Sequence, residues 1–136
     1  MAGETDLGRL IANLEPRLHD GELVFCTIPG AVYGARADLE PVAVVTESEG
    51  LALVLEREQA EASGLIFEGV FRMITLQARS SLEAVGLTAA VAGRLAELGI
   101  AANVIAGYHH DHVLVPRERA DQAARALAAL AAEAGR

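Results

Sequence analysis

Phe71-Arg72-Met73-Ile74-Thr75-Leu76 begins the stretch that decides the fold, which continues through Leu87-Thr88-Ala89-Ala90-Val91, Asn103-Val104-Ile105-Ala106 and His112-Val113-Leu114-Val115-Pro116. The first run is apolar and β-branched, the composition of a strand covered on both faces or nearly so. The period then changes. Leu87, Val91, Leu95 and Leu98 recur at i, i+4, i+8 and i+11 with Arg94 and Glu97 on the other side, which predicts an amphipathic helix stopped by Gly99. Ile100 to Ala106 and His112 to Val115 read as short strands, and the turn Gly107 to Asp111 makes them an antiparallel hairpin. Strand, helix and hairpin together are most of a split βαβ unit.

Outward from this stretch the signals are shorter. Leu7, Leu10, Ile11 and Leu14 share one face of a brief helix that Thr5 can cap and Pro16 ends. Glu22 to Ile28 is a strand closed by Pro29-Gly30, and residues 31–40 form an irregular connection up to Pro41. Val42 to Thr46 and Leu51 to Leu55 are two more strands joined by a polar turn. Residues 57–63 make a short helix, and Leu65 to Val70 is extended. After the hairpin, an Ala-rich helix runs from about Arg117 to Glu133.

A repeat is hidden in this order. Leu53-Val54-Leu55-Glu56-Arg57-Glu58 matches Val113-Leu114-Val115-Pro116-Arg117-Glu118 at an offset of 60, whereas Cys26-Thr27-Ile28 matches Ile74-Thr75-Leu76 at an offset of 48. The first copy is therefore 12 residues shorter between its first and second strands, where the second copy has its helix. The bare sheet face left behind needs a cover, and the helix at Leu7 to Leu14 is the candidate. The second copy lacks a fourth strand in sequence, so its sheet edge must pair elsewhere, with Leu65 to Val70 as the candidate partner.

Composition narrows the function. The 136 residues suit one compact domain or two small ones sharing a core, and a hydrophobic content of 52% with only 4% aromatic means a core of Ala, Val, Leu and Ile. Residues 1–64 hold 4 Arg against 12 acids and residues 65–136 hold 7 against 7, so all of the net charge of −8 lies in the first half. With no lysine, the clustered basic footprint of nucleic-acid binding is missing. A single cysteine, Cys26, fits a reducing compartment, and neither a signal peptide nor a membrane-length apolar run is evident. The expectation is a cytoplasmic protein.

Ser80-Ser81-Leu82-Glu83-Ala84-Val85-Gly86-Leu87, the helix ending Leu95-Ala96-Glu97-Leu98-Gly99-Ile100, and then Asn103-Val104-Ile105 resemble the ACT domain family, in particular the domains of aspartate kinases and small stand-alone tandem proteins. The resemblance implies an α+β, ferredoxin-like βαββαβ fold in two interlocked tandem halves, 1–66 and 67–136, the first with a missing or vestigial first helix. It also implies a non-catalytic regulatory module that binds a small amino acid or similar metabolite; an interaction module without ligand, and a small metal-dependent enzyme using the histidine turn at 109–112, stay open as alternatives. In that family the ligand lies against the loop between first strand and first helix with help from a strand-two asparagine, which carries over to Val85, Gly86, Leu87 and Asn103. Amides at a helix start form an anion site, and a glycine admits a ligand close to the backbone. Where the family commonly has Asp-x-x-Gly, this chain has Glu83-Ala84-Val85-Gly86. Exposed sheet edges and the small-residue face of Ala89, Ala92, Gly93 and Ala96 further suggest a homodimer with the ligand loop near a module boundary.

His109-His110-Asp111-His112 looks like a metal cluster, but alternation lets only His110 and His112 share a side, and no other residue completes a set. It reads as a polar turn set by Asp111, with a ligand contact from Tyr108 or His110 left open. No Gly-x-Ser-x-Gly elbow accompanies Ser80 or Ser81. Cys26 reads as core, and Glu47, Glu49, Glu56, Glu58 and Glu61 as a solvated acidic rim. Neither a cofactor nor a bound metal is expected.

Overall fold

The computed structural model describes residues 3–135. In chain order the elements are α1 (Leu7–Ala12), β1 (Pro16–Leu18), β2 (Leu23–Pro29), a 3-10 turn at Ala37–Leu39, β3 (Ala43–Glu47), β4 (Gly50–Glu56), α2 (Arg57–Ala62), β5 (Phe71–Leu76), α3 (Leu87–Glu97), β6 (Asn103–Ala106), β7 (Asp111–Pro116), a 3-10 turn at Arg117–Arg119 and α4 (Ala120–Ala134). Packing divides the chain into two units, Met1–Asp20 with Arg72–Arg136, and Gly21–Phe71.

The first unit is a βαββαβ sandwich whose fourth strand comes from far away in sequence. Its sheet runs β1-β5-β7-β6, and β1 pairs antiparallel with β5 through Pro16 opposite Leu76, Arg17 opposite Thr75 and Leu18 opposite Ile74. Ile74, Leu76, Val113 and Val115 face one side, where Leu87, Val91 and Leu95 of α3, Leu127 of α4 and Leu10 and Leu14 close the core. Each such buried aliphatic side chain contributes about 1.5–3 kcal/mol of transfer free energy. Arg94 clamps the two long helices with a paired contact to Glu133 at 2.8 and 3.0 Å.

This arrangement corrects two expectations. Leu65 to Val70 is not the missing strand. Gly69, at φ +72°, breaks its extension, Leu65, Phe67 and Val70 turn into the other unit's core, and the edge of β5 is already taken by β1. Nor does α1 cover the first copy's sheet, because its apolar face packs on α3 and α4. Leu14 follows α1 into the same core. Its cap is Asp6, whose carboxylate accepts the Arg9 amide at 2.9 Å, one residue beyond the expected Thr5.

The second unit is the shortened copy. Its antiparallel sheet runs β3-β4-β2, and Val24, Cys26, Leu51, Leu53 and Leu55 form a core capped by Ala60 of α2, by Leu39, and by Ala31 and Ala35 of the irregular connection. The 3-10 turn at Ala37–Leu39 stands where the other copy has α3. The repeat is visible side chain by side chain, since Leu53 and Val113, Leu55 and Val115, and Ala60 and Ala120 are all buried at an offset of 60.

Candidate functional site

The loop after β5 is built by short-range bonds. The Ser81 hydroxyl accepts the Glu83 amide at 3.1 Å and the Ser81 carbonyl accepts the Ala84 amide at 3.0 Å, turning the chain toward α3. Gly86 then caps the helix at φ +100°, a conformation that a side chain strongly disfavours. No side chain caps α3, and its first-turn amides have no partner within the helix. That is the electrostatics of an anion site, with about half a positive charge at the helix start.

The expected site residues fall in different places. Val85 is 83% exposed at the loop tip, while the Leu87 side chain is buried and only its backbone is available at the helix start. Gly86 has a neighbour the sequence did not reveal, because a Cβ there would meet Leu7 Cδ2 at 3.0 Å. Asn103 opens β6 and pairs with Leu114, so it lies on the sheet face turned away from Val113 and Val115. With β7 between β6 and β5, two strand spacings of about 4.8 Å separate Asn103 from the strand that leads into the loop. The loop's nearer neighbour is the hairpin turn, where Ser80 Oγ donates to Asp111 Oδ2 at 3.4 Å.

That same sheet face carries a polar chain. Thr75 Oγ1, buried, lies 2.8 Å from His19 Nε2 and 2.9 Å from His112 Nδ1, so three segments distant in sequence meet at one hydroxyl. One hydroxyl carries one proton, so one imidazole accepts it and the other donates its own. Burial above all, then the nearby His110, holds His112 below the ordinary histidine value, and the opposing pull of Asp111 is smaller. Gly107 lets the turn close on this ring, since a Cβ would stand 2.8 Å from the His110 carbonyl oxygen and 3.2 Å from His112 Nε2. His110 Nδ1 is buried without a partner. Sequence reasoning placed His110 and His112 on one side but passed over His19 and Thr75, which carry no local signal. Among the described residues no three His, Cys, Asp or Glu side chains are grouped to hold a metal.

In the second unit, the missing helix leaves a cavity of about 350 Å3 bounded by Tyr33, Ala37, Pro41, Val44 and Leu51. Tyr33 and Val44 at this cavity are exposed apolar side chains, and Val32, Val42 and Val45 are exposed elsewhere in the same unit. Cys26 is buried in the core of this unit, and burial pushes its thiol up, away from the thiolate that nucleophilic chemistry needs.

An antiparallel βαββαβ sheet with helices on one face, and in the same chain a shortened copy of it, define a ferredoxin-like tandem module. Two family models described as ACT domain match in succession, over residues 2–72 and 68–129, and the chain belongs to the ACT domain family. A solved Vibrio cholerae protein of unknown function, described as a possible transport protein, is 50% identical over 92% of this chain and 95% of its own, with a TM-score of 0.84. An Agrobacterium tumefaciens protein shares the fold at 17% identity, 88% and 90% coverage and a TM-score of 0.72. So does the regulatory subunit of aspartate kinase from Thermus thermophilus, at 12% identity, 87% and 97% coverage and a TM-score of 0.65. No curated protein matches. Among the described residues no helix is long and apolar enough to cross a membrane.

Proposed function

We propose that the protein is a non-catalytic cytoplasmic sensor that binds a small amino acid at Val85, Gly86 and Leu87, with Asn103 as the outlying contact, and works as a homodimer. The observation that carries this reading is Gly86 at φ +100° heading an eleven-residue helix that no side chain caps. Such a start offers amide donors and positive potential to a carboxylate, and Val85 at the tip is open to solvent. The ACT-domain membership and the fold shared with aspartate kinase regulatory subunits support the amino-acid class.

The test is a thermal-shift screen across the twenty amino acids on wild type and Val85→Asp. An added acid next to the helix start does not harm the fold and repels a carboxylate, so the ligand's stabilisation should shrink in the variant. Equal stabilisation of both proteins would move the site away from this loop. A second reading, an interaction module without ligand, is favoured by the exposed valines and Tyr33 of the second unit. Silence of every amino acid in the screen would turn the case toward it.

A further inference from the structure

We infer that residues 3–7 form a strap across the Gly86 loop that an amino acid must displace to bind. The inference rests on the ligand reading above and adds its regulation. The strap is held at three points in a row. At Gly3 backbone lies on backbone, because a Cβ would stand 2.5 Å from the Arg79 carbonyl oxygen, 2.7 Å from the Ser80 carbonyl carbon and 2.8 Å from the Ser81 nitrogen. Only glycine permits that approach. Glu4 then pairs with Ser80 as a parallel bridge, its amide donating to the Arg79 carbonyl at 2.9 Å and its carbonyl accepting the Ser81 amide at 3.0 Å. Leu7 completes the cover by setting Cδ2 against the bare α-carbon side of Gly86.

The joint between bridge and helix is shaped for this path. The Glu4 carboxylate folds back to accept the amides of Thr5 at 3.0 Å and Asp6 at 3.4 Å and to pair with Arg9 at 3.6 Å, so the chain turns directly from the Ser80 bridge into α1. The strap thus binds the start of the loop at Arg79 to Ser81 and, through the Leu7 side chain, reaches Gly86, one of the residues the ligand reading names.

What makes it a strap rather than core is how little holds it. Two main-chain hydrogen bonds and a leucine that is still 36% exposed secure residues 3–7, whereas Leu10 and Leu14 beyond them are buried. The strap can therefore lift as the first turn of α1, with its Asp6 cap, frays, while Leu10, Leu14 and β1 stay in place, a local opening of the kind that precedes global unfolding. Only the open fraction accepts ligand, so affinity is lowered by that fraction, and weakening the strap raises it.

The experiment uses Gly3→Val, which forces the strap off without altering the loop, and Leu7→Ala, which removes the cover of Gly86. Amide hydrogen exchange at Ser81, Leu87 and Thr88 is measured beside calorimetric titration of the twenty amino acids. The expected result is exchange at Ser81 accelerated about tenfold or more in Gly3→Val and the bound amino acid held about tenfold tighter, with a smaller change of the same sign in Leu7→Ala. Accelerated exchange with unchanged affinity overturns the strap and leaves the site standing. Unchanged exchange overturns it directly. If exchange accelerates and no amino acid binds any of the three proteins, the ligand reading fails and the proposal falls with it.

Discussion

At Gly86 a substitution has two costs, the φ of +100° that side chains avoid and the Leu7 methyl 3.0 Å from the new Cβ. Gly86→Ala should therefore lower stability by about 1–3 kcal/mol, measured by urea denaturation, and part of that loss should disappear in a Leu7→Ala background. Full additivity would mean that Leu7 yields without cost. His112 makes a pH prediction whose sign follows from its depressed folded value. Between that value and the ordinary histidine pKa of about 6.5 the unfolded chain binds more protons, so stability is complete above about 6.5 and falls as pH drops through the folded pKa. The urea midpoint should fall between pH 7.5 and 5 in wild type and move less in His112→Gln; parallel curves would show that other groups set the acid limb.

At the scale of elements, burial should grade the cost of truncation along the leading segment. Leu14→Ala, at a position with no exposure, should cost about 2–5 kcal/mol, and Leu7→Ala distinctly less. Comparable losses at the two positions would contradict the division between a loosely held first turn of α1 and the anchored residues after it. The long periodic elements were legible in the sequence, because α3 and the β6–β7 hairpin rest on local signals: an apolar stripe, Gly99, and a polar turn. The two offsets of 48 and 60 gave away the shortened copy, and the 3-10 turn at Ala37–Leu39 is where the difference falls. The partner of β5 was not legible. Three residues, Pro16–Leu18, carry no strand signature of their own and become a strand only by lying against β5, which periodicity cannot report. The same limit hid the His19–Thr75–His112 chain and the cover of Gly86, both of them contacts across 37 residues or more.

For the whole molecule, the two ACT-domain copies are unequal: one is complete, and the other, shortened by a helix, presents exposed valines. A closed two-fold dimer is the commonest way for a chain to cover such a surface. Light scattering at micromolar concentration should give twice the chain mass, and Val45→Glu should shift it toward the monomer if β3 takes part. The claim at the centre remains the ligand and its place. Calorimetric titration with the twenty amino acids, followed by amide chemical-shift mapping of the one that binds, tests it most directly. At a ligand concentration of 100 Kd the protein should gain about 2.7 kcal/mol, with the largest shifts at Val85, Gly86 and Leu87 and a smaller one at Asn103. No binding by any amino acid, or shifts centred instead on the cavity at Tyr33 and Val44, would contradict it.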